Sequence, residues 1–299
     1  MRAGLVRPPG HTRAHGWHSS GPWEQLPVYV ISLPRSTERW LNITARLRAH
    51  TSHLTFVSAV DGTVAIPPEQ MAALPYSVPP NANILELRDI NVTLPPCCQD
   101  TWPTQLACVV SHLLAVKQAY LDGHELALVL EDDMMVLEGR WPTPALLNSA
   151  PSDWDALLLY MLGDEVADRL YSDPPGLWVP WQPRIWSAGA YFIRRSAMRR
   201  LLDLYMPGAS STGMIAAIDM TPVESNWEGR PIGGCVSENV LFTPIQAFVT
   251  TDFFFVETAS ESTLNSEHRV QHDGTRELVS QLIRERGFYF PLTNVSSLA

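Results

Sequence analysis

Leu126-Ala127-Leu128-Val129-Leu130-Glu131-Asp132-Asp133 decides how this chain is read. Five apolar residues in a row suit a strand buried on both faces, as in the middle of a parallel sheet. Three carboxylates follow at what is then the strand's C-terminal end, the edge where open α/β sheets bind ligands. Adjacent acids repel one another unless a cation sits among them, and hard cations such as Mg²⁺ or Mn²⁺ take oxygen ligands. An acidic turn that is merely solvated is the plain alternative. The abrupt step from buried strand to triple acid argues against it.

Upstream, the spacing predicts a helix from about Thr104 to Leu121, with Leu106, Val109, Val110, Leu113 and Val116 as its apolar stripe and Asp122-Gly123 as its stop. His112 lies in this helix beside Ser111, a setting in which a lone histidine is commonly structural. Earlier still, Val28–Leu33 reads as a β-branched first strand that stops at Pro34-Arg35-Ser36. A helix is predicted from Thr37 to about His50, with Ser36 as its cap and Glu38 complementing its dipole. Leu54–Val60 is a second strand, closed by Asp61-Gly62. The three elements form a βαβ unit whose ligand edge is Pro34–Arg39 and Asp61. No G-x-G-x-x-G follows the first strand, which excludes a dinucleotide-binding unit. Prolines at 67, 68, 75, 79, 80, 95 and 96 predict a long surface excursion from Thr63 to Pro103.

Downstream, Trp154–Tyr160 looks like a further strand and residues 163–183 like another loop. Ser187–Ile193 reads as a short strand whose small residues allow close backbone approach. A helix capped by Ser196 runs to Tyr205. Asp219 is a single acid in the apolar setting Ile215–Met220, either a cap or turn residue or a functional one. Leu241–Val256 reads as late strands, and Gly274–Gly287 encloses a terminal amphipathic helix. Residues 1–26, rich in Arg, His, Gly and Pro with no acid before Glu24, read as a disordered tail without the apolar core of a signal peptide. Residues 27–299 then form a single α/β domain, with a first half at about 27–160 and a second half at about 161–299.

With 45% hydrophobic and 17% charged residues, the 299-residue chain is ordinary for a globular protein. A net charge of −10 argues against a nucleic-acid partner. No apolar run reaches the length of a membrane span. Cys97, Cys98, Cys108 and Cys235 lack zinc or redox spacing and read as inert thiols. Sequons at Asn42, Asn91 and Asn294 matter only in a secretory lumen, so lumen and cytoplasm both stay open as the compartment.

Five ordered blocks between Val28 and Asp252 resemble glycosyltransferase family 25, which includes lipooligosaccharide and procollagen galactosyltransferases. Val30-Ile31-Ser32-Leu33-Pro34-Arg35-Ser36-Thr37-Glu38-Arg39 resembles the family's I-N-L-x-x-x-x-x-R start, with Ser32 where Asn is usual. Ala59-Val60-Asp61-Gly62 is similar to its A-V-D-G turn. Ala107-Cys108-Val109-Val110-Ser111-His112-Leu113 is similar to its A-C-x-x-S-H-L helix, with Thr104-Gln105 in place of Gly-Glu. Leu128–Asp133 resembles L-x-L-E-D-D, and Ala190–Ile193 resembles A-Y-x-I.

The resemblance implies a GT-A-like fold, a mostly parallel central sheet flanked by helices, with a donor half at about 27–160 and an acceptor half at about 161–299. It also implies inverting transfer of galactose or glucose from a UDP-sugar to a glycan, lipid-linked or protein acceptor. Under that reading Glu131 and Asp133 hold Mn²⁺ (or Mg²⁺). Leu33, Pro34, Arg35, Arg39, Asp61, His112 and Asp132 contact the donor, the two arginines at its phosphates. Asp219 is the candidate base, with Glu224 and Asp155 as substitutes. A catalytically silent sugar-binding protein on the same fold is the rival reading. A metal-dependent phosphohydrolase would want more histidines gathered at the strand ends than this sequence offers.

Overall fold

Val28–Ser32 (β1) and Leu54–Ser58 (β2) run parallel, joined by the helix Thr37–Leu47 (α1), so the first βαβ unit forms where its sequence predicts. The computed structural model describes residues 25–62, 91–93, 102–161, 176–183, 185–186, 188–206, 217–219, 224–225, 231–232, 237–258 and 268–286. Of the proline-rich excursion it describes Asn91–Thr93 (β3); the rest of 63–101 lies outside the described residues, as does the predicted tail up to residue 24.

The helix Trp102–Leu121 (α2) leads into Leu126–Glu131 (β4), the strand of the acidic stretch. Along β4 the side chains alternate between two cores. Leu126, Leu128 and Leu130 face one that also holds Ile43 and Leu47 of α1. Ala127 and Val129 face the other, beneath α2. Each fully buried leucine here contributes about 1.5–3 kcal/mol. α2 is buried on more than one stripe: Ala107, Val109, Val110, Leu113, Leu114, Ala115, Val116 and Ala119 are all buried. The cause is its position between the sheet and two further helices, Arg195–Tyr205 (α4) and Ser237–Phe242 (α5).

Met134–Val136 (β5) follows the acids, then a short helix Pro144–Asn148 (α3) and the strands Ala156–Leu158 (β6), Trp178–Pro180 (β7) and Ala190–Arg194 (β8). Ala217–Asp219 (β9) pairs parallel with β3, and Glu224–Ser225 (β10) pairs with Pro231–Ile232 (β11). After α5 come Ala247–Thr250 (β12), Phe255–Glu257 (β13) and the helix His268–Arg286 (α6). The main sheet has seven strands in the order β2-β1-β4-β8-β6-β12-β7. Five run one way; β8 and β7 oppose them. This is the mixed, mainly parallel α/β sheet of the GT-A-like expectation.

Several local expectations need correction. β4 has a parallel neighbour, β1, on one side only; β8 on the other side is antiparallel. A doubly buried strand looks the same either way in sequence, because burial and not direction sets the apolar run. Trp178–Pro180, inside a predicted loop, is an edge strand on β12, a position that tolerates proline. Leu241 and Phe242 end helix α5 and do not open a strand; Pro244 follows soon after. Ser36 occupies the N-cap position of α1 without making a side-chain capping bond. Ser196 lies inside α4, whose cap position is Arg194, and its hydroxyl faces Asp155 Oδ1 at 3.5 Å. No helix among the described residues is long and apolar enough to cross a membrane.

Candidate active site

The register of the sheet brings the functional residues level. Ile31 lies opposite Glu131, and Ser32 opposite Ser58, so β1, β2 and β4 end together on one edge. Asp132 and Asp133 turn toward α1. Arg39, in the first turns of that helix, straddles both: Nη1 donates to Asp132 Oδ1 at 2.9 Å and Nη2 to Asp133 Oδ2 at 3.1 Å. The Ser32 hydroxyl donates to Asp132 Oδ2 at 2.8 Å. Arg35 forms an ion pair with Asp61. Burial pushes the Asp132 carboxyl up, with Arg39 and Ser32 acting against it.

Asp133 is the more strained of the two. Burial pushes its carboxyl well above the usual carboxylate range; Glu257 and Glu131 add to the rise, and Arg39 opposes it. Its Oδ1 is buried and makes no hydrogen bond. Glu257 arrives from the far end of the chain because β13 pairs antiparallel with β5, setting Glu257 opposite Met134. Thr258 N donates to Asp133 O at 2.7 Å and locks that register. A buried ion pair anchors the approach to this strand: Arg140 Nη2 donates to Asp252 Oδ2 at 2.6 Å and Arg140 Nε to Phe253 O at 2.8 Å.

Glu131 faces the other way, toward α2. His112 Nε2 lies 3.1 Å from Glu131 Oε1, and Cys108 Sγ donates to the same oxygen at 3.9 Å. His112 Nδ1 is 3.2 Å from the Tyr191 hydroxyl of β8. Burial and Glu131 push both the Cys108 thiol and the Tyr191 phenol well up. Glu238, from the first turn of α5, is buried beside them; it accepts from Ala188 N at 3.2 Å, and burial raises its carboxyl. Beneath Glu131, Gly189 O accepts its backbone N–H at 2.9 Å. A Cβ at Gly189 would meet Met134 Cε at 2.8 Å, so the small-residue run before β8 does permit close approach.

Of the residues predicted for the site, Leu33, Pro34, Arg35, Arg39, Asp61, Glu131, Asp132 and Asp133 gather at this edge. His112 is placed differently from a donor contact. Its ring is wholly buried behind Glu131, away from the open edge where Arg35 and Arg39 lie. Asp155 is removed from the site: it precedes β6 at the opposite sheet edge, where it accepts from Arg200 Nη1 at 2.9 Å and Gln246 N at 3.1 Å as a fold clamp. Asp219 ends β9, opposite Thr93 of β3, and Glu224 opens β10; their side chains lie outside the described residues.

Two site residues are not marked as such by the sequence. Ser32 stands out there only as a departure from a motif, yet its hydroxyl holds Asp132. Glu257 follows the buried run Phe253–Val256, the same pattern of apolar strand then acid that marks Glu131.

No curated protein matches the chain. Among solved structures it is similar to a glycosyltransferase involved in the glycosylation of the major capsid of PBCV-1, at 12% identity and TM-score 0.38, over 85% of this chain and 100% of that one. It is also similar to mannose-1-phosphate geranyltransferase from Thermus thermophilus, at 11% identity and TM-score 0.37, over 76% of this chain and 73% of that one. Residues 25–141 match the model of glycosyltransferase family 25 (LPS biosynthesis protein), a span that holds β1, α1, β2, α2, β4 and the whole Arg39–Asp132–Asp133 clamp. The chain therefore carries a glycosyltransferase family 25 segment over residues 25–141.

Proposed function

We propose that the protein transfers a hexose, galactose or glucose, from a UDP-sugar to an acceptor hydroxyl with inversion, using a divalent cation held at Asp133 and Glu131. The observation that carries this is Asp133 Oδ1, a buried carboxylate oxygen without a hydrogen bond among acids that repel it. Oxygen donors in that setting fit Mn²⁺ or Mg²⁺. When bound, such a cation stabilises the charge that grows on the leaving diphosphate. Arg39 keeps Asp132 and Asp133 fixed and offers the phosphates a planar guanidinium at the same edge. Arg35, about half exposed and tethered to Asp61, offers a second. Asp219 supplies the base, on a strand outside the main sheet and in the acceptor half.

The test is a donor screen on purified protein, following nucleoside diphosphate release, with a parallel thermal melt in UDP and Mn²⁺. Release from a UDP-hexose that stops on chelation supports the reading. If UDP-galactose, UDP-glucose and UDP all leave the melt unmoved with Mn²⁺ present, the silent-binder reading replaces it.

A further inference from the structure

Behind the acid triplet, on the opposite side of β4 from Arg39, three side chains of different chemistry converge. Cys108 and His112 are one helical turn apart on α2, and so share a face. Glu131 meets them from the end of β4. One ligand atom from each, the thiol sulfur, an imidazole nitrogen and a carboxylate oxygen, all lie within 4.8 Å of one another. Among the described residues no other group of three metal-type donors does so.

The separations have a specific meaning. A tetrahedral zinc ion with ordinary bond lengths sets its nitrogen and oxygen ligands about 3.3 Å apart, and its sulfur and oxygen ligands about 3.5 Å apart. Here His112 Nε2 and Glu131 Oε1 are 3.1 Å apart, and Cys108 Sγ and Glu131 Oε1 are 3.9 Å apart. Small side-chain rotations close the difference. The supporting shell is also in place. His112 Nδ1 has the Tyr191 hydroxyl 3.2 Å away, a partner that accepts the Nδ1 proton in the tautomer whose Nε2 faces an ion. In that tautomer the bare Nε2 points at the Glu131 carboxylate, a pairing that a cation between them stabilises; in the other, Nε2–H donates to Glu131. Access is available through Glu131, whose side chain is 28% exposed, while the Cys108 thiol is buried behind it.

We propose that Cys108, His112 and Glu131 form a binding site for a zinc-class divalent cation, distinct from the hard-cation position at Asp133. Thiolate and imidazole donors select zinc-class ions over Mn²⁺, whereas the oxygen cluster at Asp133 selects the reverse. Binding releases the Cys108 proton to solvent, since the thiolate is the ligand. Glu131 thereby becomes the wall between two sites, its Oε1 turned to the softer one.

Cobalt(II) is the probe, because a thiolate bound to it gives a near-ultraviolet charge-transfer band and a tetrahedral site gives strong visible bands. Full-length, metal-stripped protein is titrated with CoCl₂ under reducing, anaerobic conditions, both as wild type and with Cys97, Cys98 and Cys235 all changed to Ser. Both forms should show the thiolate band at one equivalent, and Zn²⁺ should bleach it. Cys108→Ser should abolish it, and His112→Gln should abolish the visible bands. Tyr191→Phe should weaken cobalt binding about 10- to 100-fold, the usual effect of removing a ligand's own support. Asp133→Asn should leave the band intact, which separates this site from the proposed donor-site cation. Absence of the band in wild type, its survival in Cys108→Ser, or its loss from the triple-serine form overturns the proposal. In the first case the His112–Glu131 contact is a plain hydrogen bond.

Discussion

Replacing Asp133 by asparagine separates the proposed cation-holding role of this carboxylate from its structural cost. In the wild type, Oδ2 accepts from Arg39 at 3.1 Å while Oδ1 is buried without a hydrogen bond, against the charges of Glu257 and Glu131. The amide keeps an oxygen for Arg39, losing the charge assistance of a bond that is worth about 1.5–3 kcal/mol at full strength. It also removes the buried anion, whose desolvation costs several kcal/mol when uncompensated, and puts an amide donor where the orphan oxygen stood. The two effects have opposite sign and similar size, so metal-free stability should change by less than about 1 kcal/mol. Cation response should not survive. A ligand at one hundred times its dissociation constant stabilises by about 2.7 kcal/mol, and a neutral amide at this position offers no charge to hold it. Urea unfolding with chelator, then with saturating Mn²⁺, reads both numbers. A destabilisation beyond about 2 kcal/mol in chelator, or an undiminished Mn²⁺ response, refutes the reasoning.

Three other outcomes follow from the structure. Changing Asp252 to Ala leaves the Arg140 guanidinium, 1% exposed, without its carboxylate and should cost about 3–5 kcal/mol in chemical denaturation; a cost under about 1 kcal/mol contradicts the burial argument. Gly189→Ala drives a methyl to 2.8 Å from Met134 Cε and should cost about 1–3 kcal/mol by overpacking, with transfer activity falling further because Gly189 O holds the Glu131 amide. His50 is stacked on Trp141 at 4.7 Å, and burial lowers its pKa below the ordinary 6.5. The unfolded chain therefore takes up the proton first, so stability should fall as pH drops through 6.5, and His50→Phe should flatten that slope in urea titrations at stepped pH.

The parts of the fold that were legible in sequence are those written in a single segment. The β1–α1–β2 unit, α2 and β4 each announce themselves by a local apolar period, and each forms within a few residues of its predicted limits. Pairing is not local. The antiparallel insertion of β8 between β4 and β6 depends on which distant strand arrives, and the run Leu126–Leu130 reads identically for either neighbour. The same applies to Trp178–Pro180, too short and too proline-flanked to show a strand period, yet ordered as an edge by β12.

The site divides along the same line. Glu131, Asp132 and Asp133 were legible because an acid at the end of a buried strand has few reasons to exist apart from a ligand. What they touch was not. Asp155 carries the same local signature as a strand-end acid, but it stands at the start of β6, and only the direction of that strand tells a ligand edge from a capping edge. Glu257 is the converse case: its strand-end position was visible, and its relevance comes from the β5–β13 pairing that sets it opposite Met134. Side-chain direction matters in the same way within the triplet. Glu131 keeps the parity of Ala127 and Val129 and so falls to Cys108 and His112 beneath α2, while Asp132 and Asp133 lie in the turn that follows β4 and both fall to Arg39. A contiguous acidic motif is thus divided between two chemically different environments, one with sulfur and imidazole and one with guanidinium and carboxylate. The spacing of the acids pointed to a cation at this edge; the last strand position and the turn after it are what sort their partners.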